Sequence, residues 1–154
     1  MTSKADFETE EWESLLRMPW AAGLAVIVAD PSIRMVGEIK AMAGAVTSDD
    51  HEGPAGDLIA ELIGDMDDLD KDDFSEDGDQ QEDALYEFLG TCARIIDAKC
   101  TENEAAHVRR WVFGVARTTA EARKEGGFLG VGAVRVSEAE EQALDRISSA
   151  IGSV

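Results

Sequence analysis

Three aspartates at alternating positions form the most suggestive chemical pattern in this sequence. Asp68, Asp70 and Asp72 have the Asp-x-Asp-x-Asp spacing that opens a calcium loop, where alternate carboxylates converge on one hard cation. The rest of the loop departs from the pattern, because Asp73 stands where the sharp turn needs glycine and Asp79 where a bidentate glutamate belongs. We therefore keep the three aspartates as a candidate divalent-cation site, and favour a solvated acidic tether as the interpretation of the segment.

A second pattern, Glu104-x-x-His107, has the spacing with which one helix presents two ligands to a di-iron centre. Such a centre needs two of these motifs, and the other histidine, His51, has Ser48 three residues before it. A metal-dependent enzyme built on this pair is therefore an alternative to the favoured interpretation. Inward carboxylates from other helices would complete its site, the candidates being Glu38, Glu61 and Glu87.

A glycine-rich stretch at 126–132 is a third candidate, since glycine turns can cradle phosphates when a strand precedes and a helix follows. Here a helix is predicted to precede it, the spacing is not Gly-x-Gly-x-x-Gly, and no lysine follows the last glycine. We interpret the stretch as a turn that caps a helix. No serine lies in a nucleophile-elbow setting, so no catalytic residue is predicted.

The charge of the chain is strongly negative and unevenly distributed. The net charge is −19, and residues 49–83 contain 16 acidic side chains and one lysine. A chain of this charge repels nucleic acid and anionic membranes, so neither is a predicted partner. Another protein with a basic surface is the partner that the charge favours. Within this region, residues 65–82 have few apolar side chains and are predicted to form a mobile or irregular connection.

The stretch from Pro19 to Asp30 has no charged side chain before its final aspartate, and every other residue in it is apolar or glycine. A helix that is hydrophobic all round needs neighbours on every side. At roughly 18 Å it is too short for the ~30 Å hydrocarbon core of a bilayer. The stretch therefore predicts the buried central helix of a bundle and no membrane insertion.

Helical periodicity accounts for most of the remaining chain, giving seven predicted helices and no convincing strand. Two open with a capping box, in which a Ser or Thr and a Glu three residues later satisfy each other's backbone N–H groups; these are Thr101 with Glu104 and Ser137 with Glu140. The predicted fold class is all-α: a single domain, residues 1–154, forming a bundle of about seven helices around the buried central helix.

Other boundaries rest on single residues. Thr9 is predicted to be the N-cap of the first helix, which is predicted to end near Met18 because Pro19 suits the first turn of a new helix. Ser32 is predicted to cap the third helix, whose apolar face includes Ile39.

Three stretches carry a resemblance: Glu10-Glu11-Trp12-Glu13, residues 23–32 and residues 124–130. They look like an uncharacterised bacterial family of small helical proteins. More distantly, the chain resembles the TerB-like tellurite-resistance proteins, whose hallmark is an Ala-Asp-Gly turn followed by a glutamate, occurring twice and linked to metal binding. Ala29-Asp30 with Glu38 partly matches the first copy, and residues 136–140 match the helix start of the second. The resemblance thus implies an all-helical fold and the metal ligands Asp30, Glu38 and Glu140.

The function predicted from the sequence is a non-enzymatic cytoplasmic binding or scaffold module that interacts through its acidic segment, and the resemblance implies a stress-related role. The alternative is a metal-binding helical bundle with a catalytic or sensor role. No cofactor is predicted, and a divalent cation is the ligand left open. The cytoplasmic location follows from an N-terminus without an apolar leader and from two cysteines, Cys92 and Cys100, predicted to remain reduced.

Overall fold

The structure, a computed structural model, describes residues 1–30, 35–48, 52–66, 78–122 and 136–152, with the backbone alone at 35–37 and 78–81. Within these ranges the chain forms helices and no strand, which confirms the all-α fold class. A short 3-10 turn at Lys4–Asp6 precedes six α-helices; these are α1 (Thr9–Ala29), α2 (Met35–Val46), α3 (Gly56–Met66), α4 (Gly78–Lys99), α5 (Glu102–Glu121) and α6 (Glu138–Ile151).

Helix α1 is the centre of the bundle, as its apolar sequence predicts. It packs against all five of the other helices. Its buried side chains occur on every side of the helix, and Ala22 and Ala25 have no exposed surface. Small side chains at these positions let neighbouring helices approach closely, which explains how one helix can serve as the common core of five others.

The prediction of seven helices was wrong, because the first two are one continuous helix. Pro19 lies inside α1 rather than at the start of a new helix, and the N-cap of α1 is Glu8 rather than the predicted Thr9. An internal proline removes one backbone hydrogen bond and costs about 3 kcal/mol. Each fully buried large apolar side chain contributes about 1.5–3 kcal/mol. A continuous α1 keeps three such side chains buried, namely Leu15, Met18 and Val26. The free energy gained by their packing therefore exceeds the cost of the internal proline.

Helix α2 also differs from the prediction. Ile39, expected on its apolar face, is 44% exposed, whereas Glu38 beside it is 3% exposed. The buried face of α2 is set by Met42 and Val46, which share a side of the helix with Glu38. The predicted cap Ser32 lies outside the described residues.

Both capping boxes predicted from the sequence are present. The Thr101 backbone N–H donates to Glu104 Oε2 at 2.8 Å, and the Ser137 N–H donates to Glu140 Oε2 at 2.7 Å. The hydroxyl of each cap accepts in return from the backbone N–H of its glutamate. These local hydrogen bonds fix where α5 and α6 begin.

The acidic connection predicted at 65–82 is described only at its ends. Its first two residues close α3 and residues 78–82 belong to α4, while 67–77 lie outside the described residues. The region between the two helices therefore starts later and ends earlier than the sequence pattern indicates.

Both cysteines are free thiols, in agreement with the sequence-based prediction. Cys92 is buried, and this burial raises the pKa of its thiol to about 12, so it stays protonated. Among the described residues, no helix is both long enough and apolar enough to cross a membrane.

Candidate functional site

A groove of about 740 Å³ runs between α2 and α5. One wall is formed by small residues from α2 and the residues just after it: Ala41, Gly44, Ala45 and Ser48. The other wall comes from a single face of α5: His107, Arg110, Trp111, Gly114, Val115 and Thr118. Both sets follow the i, i+3, i+4, i+7 spacing of one helix face, so the groove runs along the two helices.

The walls of the groove are open where glycines stand. A Cβ atom built on Gly44 or on Gly114 would meet no other atom within 4 Å. Gly23 in α1 is the opposite case, because its Cβ would lie 2.2 Å from Met42 Sδ. The glycines in the groove therefore leave room, whereas Gly23 permits the close contact of two helices.

The loop before α3 borders the groove at its His107 end and is fastened to α5 by that histidine. The backbone N–H of Ala55 donates to His107 Nδ1 at 3.0 Å, and the bond is buried. Gly53 lies directly against the imidazole ring, since a Cβ on it would be 2.5 Å from Cε1. Residues 52–54 thereby form part of the groove lining.

The two helices that form the groove differ in charge from the rest of the bundle. Helix α2 carries one acidic and one basic residue, and α5 carries three of each. Each of the other four helices has an excess of acidic residues. Glu52 and Arg110 are the charged residues in the lining, and both are exposed. The groove is thus a nearly neutral strip in an acidic protein.

Glu104, a candidate of the metal-dependent alternative, has its carboxylate already engaged by hydrogen bonds. It accepts from the Thr2 backbone N–H at 2.8 Å and from the Thr2 hydroxyl at 2.9 Å, in addition to both Thr101 donors. These donors, the Thr2 and Thr101 N–H groups first, lower the pKa of Glu104 to about 2. A metal ion at Glu104 and His107 would have to compete with this network and with the Ala55 hydrogen bond.

Two other carboxylates that were candidates for the metal-dependent enzyme have different surroundings in the structure. Glu61 accepts from the Lys4 backbone N–H at 2.8 Å, and Glu87 is exposed on α4. The ligands implied by the resemblance belong to three helix ends: Asp30 is the C-cap of α1, Glu38 is in the first turn of α2 and Glu140 is in the capping box of α6.

Within the described part of the chain, no group of three or more His, Cys, Asp or Glu side chains is arranged to hold a metal ion. Asp68, Asp70 and Asp72 lie outside the described residues, as does the glycine-rich stretch at 126–132. The calcium loop and the tether therefore stay predictions.

Sequence reasoning did not identify the groove. The signal was present in α2, where Ala41, Gly44, Ala45 and Ser48 place four small residues on one helix face. Such a stripe can equally pack against a neighbouring helix, and the spacing does not say which occurs. In the structure this face of α2 is open and lines the groove.

The fold and the groove together define the chain as an all-helical bundle with an elongated surface cleft. In comparisons with protein families, curated proteins and solved structures, nothing matches this chain. The geometry of the groove is therefore the basis for a functional assignment.

Proposed function

We propose that this protein is a non-enzymatic binding module that holds a helix of a partner protein in the α2–α5 groove. The observation that carries the proposal is the open space above Gly44 and Gly114 between two helices of balanced charge. Amphipathic helices bind in this way by laying an apolar face into a groove, with anchoring side chains at i, i+3 or i+4 and i+7.

The length of the groove sets the length of the partner helix. On α5 the lining runs from His107 to Thr118, which is eleven residue steps and about 16 Å at 1.5 Å per residue. A partner helix of about three turns covers this distance. Because the α2 wall consists of small residues, the partner supplies the large side chains, which fill the space beside Trp111 and Val115.

Charge favours a partner helix with basic flanks. The four helices that do not form the groove carry an excess of acidic residues, and the whole chain has a net charge of −19. A positively charged helix is attracted to such a surface, and its apolar face then enters the nearly neutral groove. The acidic segment predicted to attract a basic partner adds to this attraction. The cytoplasmic location and the stress-related role belong to the same proposal and rest on the sequence and on the TerB-like resemblance.

Selection from a displayed library of 14-residue helical peptides tests this function even though the natural partner is unidentified. We expect the recovered peptides to carry large apolar residues on one face and Lys or Arg on its flanks. Their affinity is then measured by calorimetry at low and high salt, and should fall as salt screens the attraction.

Variants that fill the groove provide the structural control. Gly44→Leu and Gly114→Leu each place a side chain in the open space, and should abolish binding of the selected peptides. Gly64→Leu is the matched control, since a Cβ on Gly64 in α3 also meets nothing within 4 Å but lies away from the groove. Peptides that bind both filled variants as well as they bind the wild type would overturn the assignment of the groove, and peptides without basic enrichment would overturn the assignment of partner charge.

A further inference from the structure

We infer that neutral His107 holds the end of the groove in its binding shape and that protonation of this histidine releases it. This inference deepens the proposed function and rests on it for the step from loop to binding. The hydrogen bond between Ala55 N–H and His107 Nδ1 joins the loop before α3 to α5, across 52 positions of sequence. The same ring lines the groove, beside loop residues Gly53 and Pro54.

The direction of this hydrogen bond determines the effect of protonation. Nδ1 can accept from Ala55 only while it carries no proton, because an imidazolium has N–H donors at both nitrogens. Protonation places two donors against each other in a site where His107 is 9% exposed. Histidine is the side chain that ordinarily changes charge between about pH 5 and 8. The tether is therefore present while the ring is neutral and is lost when Nδ1 takes up a proton.

Among the described residues, charged side chains lie near His107 on the loop and on α5. Glu52 lines the groove from the loop, and Arg110 lines it one turn further along α5. Glu104 lies one turn earlier on α5, with its carboxylate held by Thr2 and Thr101. The four residues that α2 and its end contribute to the lining carry no charge.

The loop is built so that loss of the tether changes its position. Gly53 packs against the imidazole more closely than any residue with a Cβ could, so the ring and the loop backbone fit each other in one arrangement. When the hydrogen bond breaks, the backbone of 52–54 no longer has this anchor. Because these residues line the groove, its end changes shape with them.

Amide hydrogen exchange at Ala55, measured by NMR at pH 7.5 and 5.5 and expressed as a protection factor, tests the tether directly. We expect protection to fall about ten-fold at the lower pH, since an unsatisfied buried donor shifts an equilibrium by about that factor or more. His107→Asn places an amide oxygen at the position of Nδ1 and does not titrate, so its protection should not depend on pH. His107→Leu removes the acceptor and should show low protection at both values.

His51→Gln is the matched control, because the chain has only two histidines; it should keep the pH response of the wild type. A wild-type protection factor that stays constant with pH, or a response abolished by His51→Gln, would overturn the tether. The affinity of a selected peptide should fall with Ala55 protection in the wild type and stay constant in His107→Asn. Unchanged affinity despite lost protection would overturn the coupling to binding. Failure to select any peptide would count against the proposed function alone, because the exchange experiment uses no ligand.

Discussion

Helix α5 contacts two regions that differ in packing. One is closed by polar contacts, and the other contains open space. At the start of α5, the N-terminal strap (residues 2–6) is fastened by hydrogen bonds to Glu104, and to Glu61 and Asp65 of α3. Along its middle, the groove is lined by glycines with open space beside them. The first region uses long-range polar contacts to close the bundle, and the second leaves a helix face uncovered. Residues of the strap therefore stabilise the fold, whereas residues of the groove are available for binding.

Substitutions in the strap network should lower the unfolding free energy more than substitutions in the groove. Glu104→Gln should cause the largest loss of any single substitution. The pKa of Glu104 falls from 4.5 to about 2 in the folded state, which corresponds to about 3 kcal/mol of unfolding free energy at neutral pH. Because the folded-state pKa is depressed, this stability is present above pH 4.5 and is lost as the pH falls towards 2. Urea unfolding across this pH range should show a loss of about 2–3 kcal/mol for the variant at pH 7 and a flatter acid dependence.

Glu102→Gln is the control for that measurement. Glu102 is in the same first turn of α5 but is exposed, so its loss should change the unfolding free energy by less than about 1 kcal/mol. Equal effects of the two substitutions would show that the helix terminus, rather than the strap network, accounts for the stabilisation.

Substitution of glycine by alanine should have opposite effects on packed and on open helix faces, and Gly23 lies on a packed face. Gly23→Ala should lower the unfolding free energy by about 1–3 kcal/mol, because the new Cβ overlaps Met42 Sδ and Cγ. Thermal unfolding of Gly23→Ala, Met42→Ala and the double variant measures the coupling of the two sites. The double variant should lose less than the sum of the single losses, and strict additivity would contradict a direct clash.

On the groove side the same type of substitution should have the opposite sign. Gly44→Ala and Gly114→Ala place a methyl group in open space, so each should raise the unfolding free energy by about 0.5–1 kcal/mol through its higher helix propensity. Gly64→Ala should behave in the same way. A loss of stability at Gly44 or Gly114 would mean that the groove is filled in the folded protein.

The smallest effect should come from a visible ion pair in the strap. Lys4 Nζ lies 2.6 Å from Asp65 Oδ2, but the Lys4 side chain is 58% exposed. Exposed pairs contribute at most about 1 kcal/mol. Lys4→Met should therefore lower the unfolding free energy by less than about 1 kcal/mol, as measured by urea titration. The substitution also leaves intact the hydrogen bond from the backbone N–H of residue 4 to Glu61. A loss as large as that of Glu104→Gln would contradict the ranking of buried over exposed contacts.

The features that depend on neighbouring residues could be predicted from the sequence. The fold class follows from helical periodicity, and the starts of α5 and α6 follow from the capping boxes of Thr101 and Ser137, since both partners of each box lie within four residues. The central position of α1 follows from a stretch without charge, because such a helix must be covered on all sides. Local rules were insufficient at Pro19, where burial of residues on both sides keeps the helix continuous.

Contacts between residues far apart in the chain depend on how the helices pack and could not be predicted from the sequence. Thr2 and Glu104 are 102 positions apart, and Ala55 and His107 are 52 positions apart, so no spacing rule connects them. The small residues of α2 share a face in the sequence, but whether that face is covered depends on how α2 is placed against α5. Side chains far apart in sequence are brought together by the packing of whole helices, and the free energy of that packing depends on the complete set of buried surfaces.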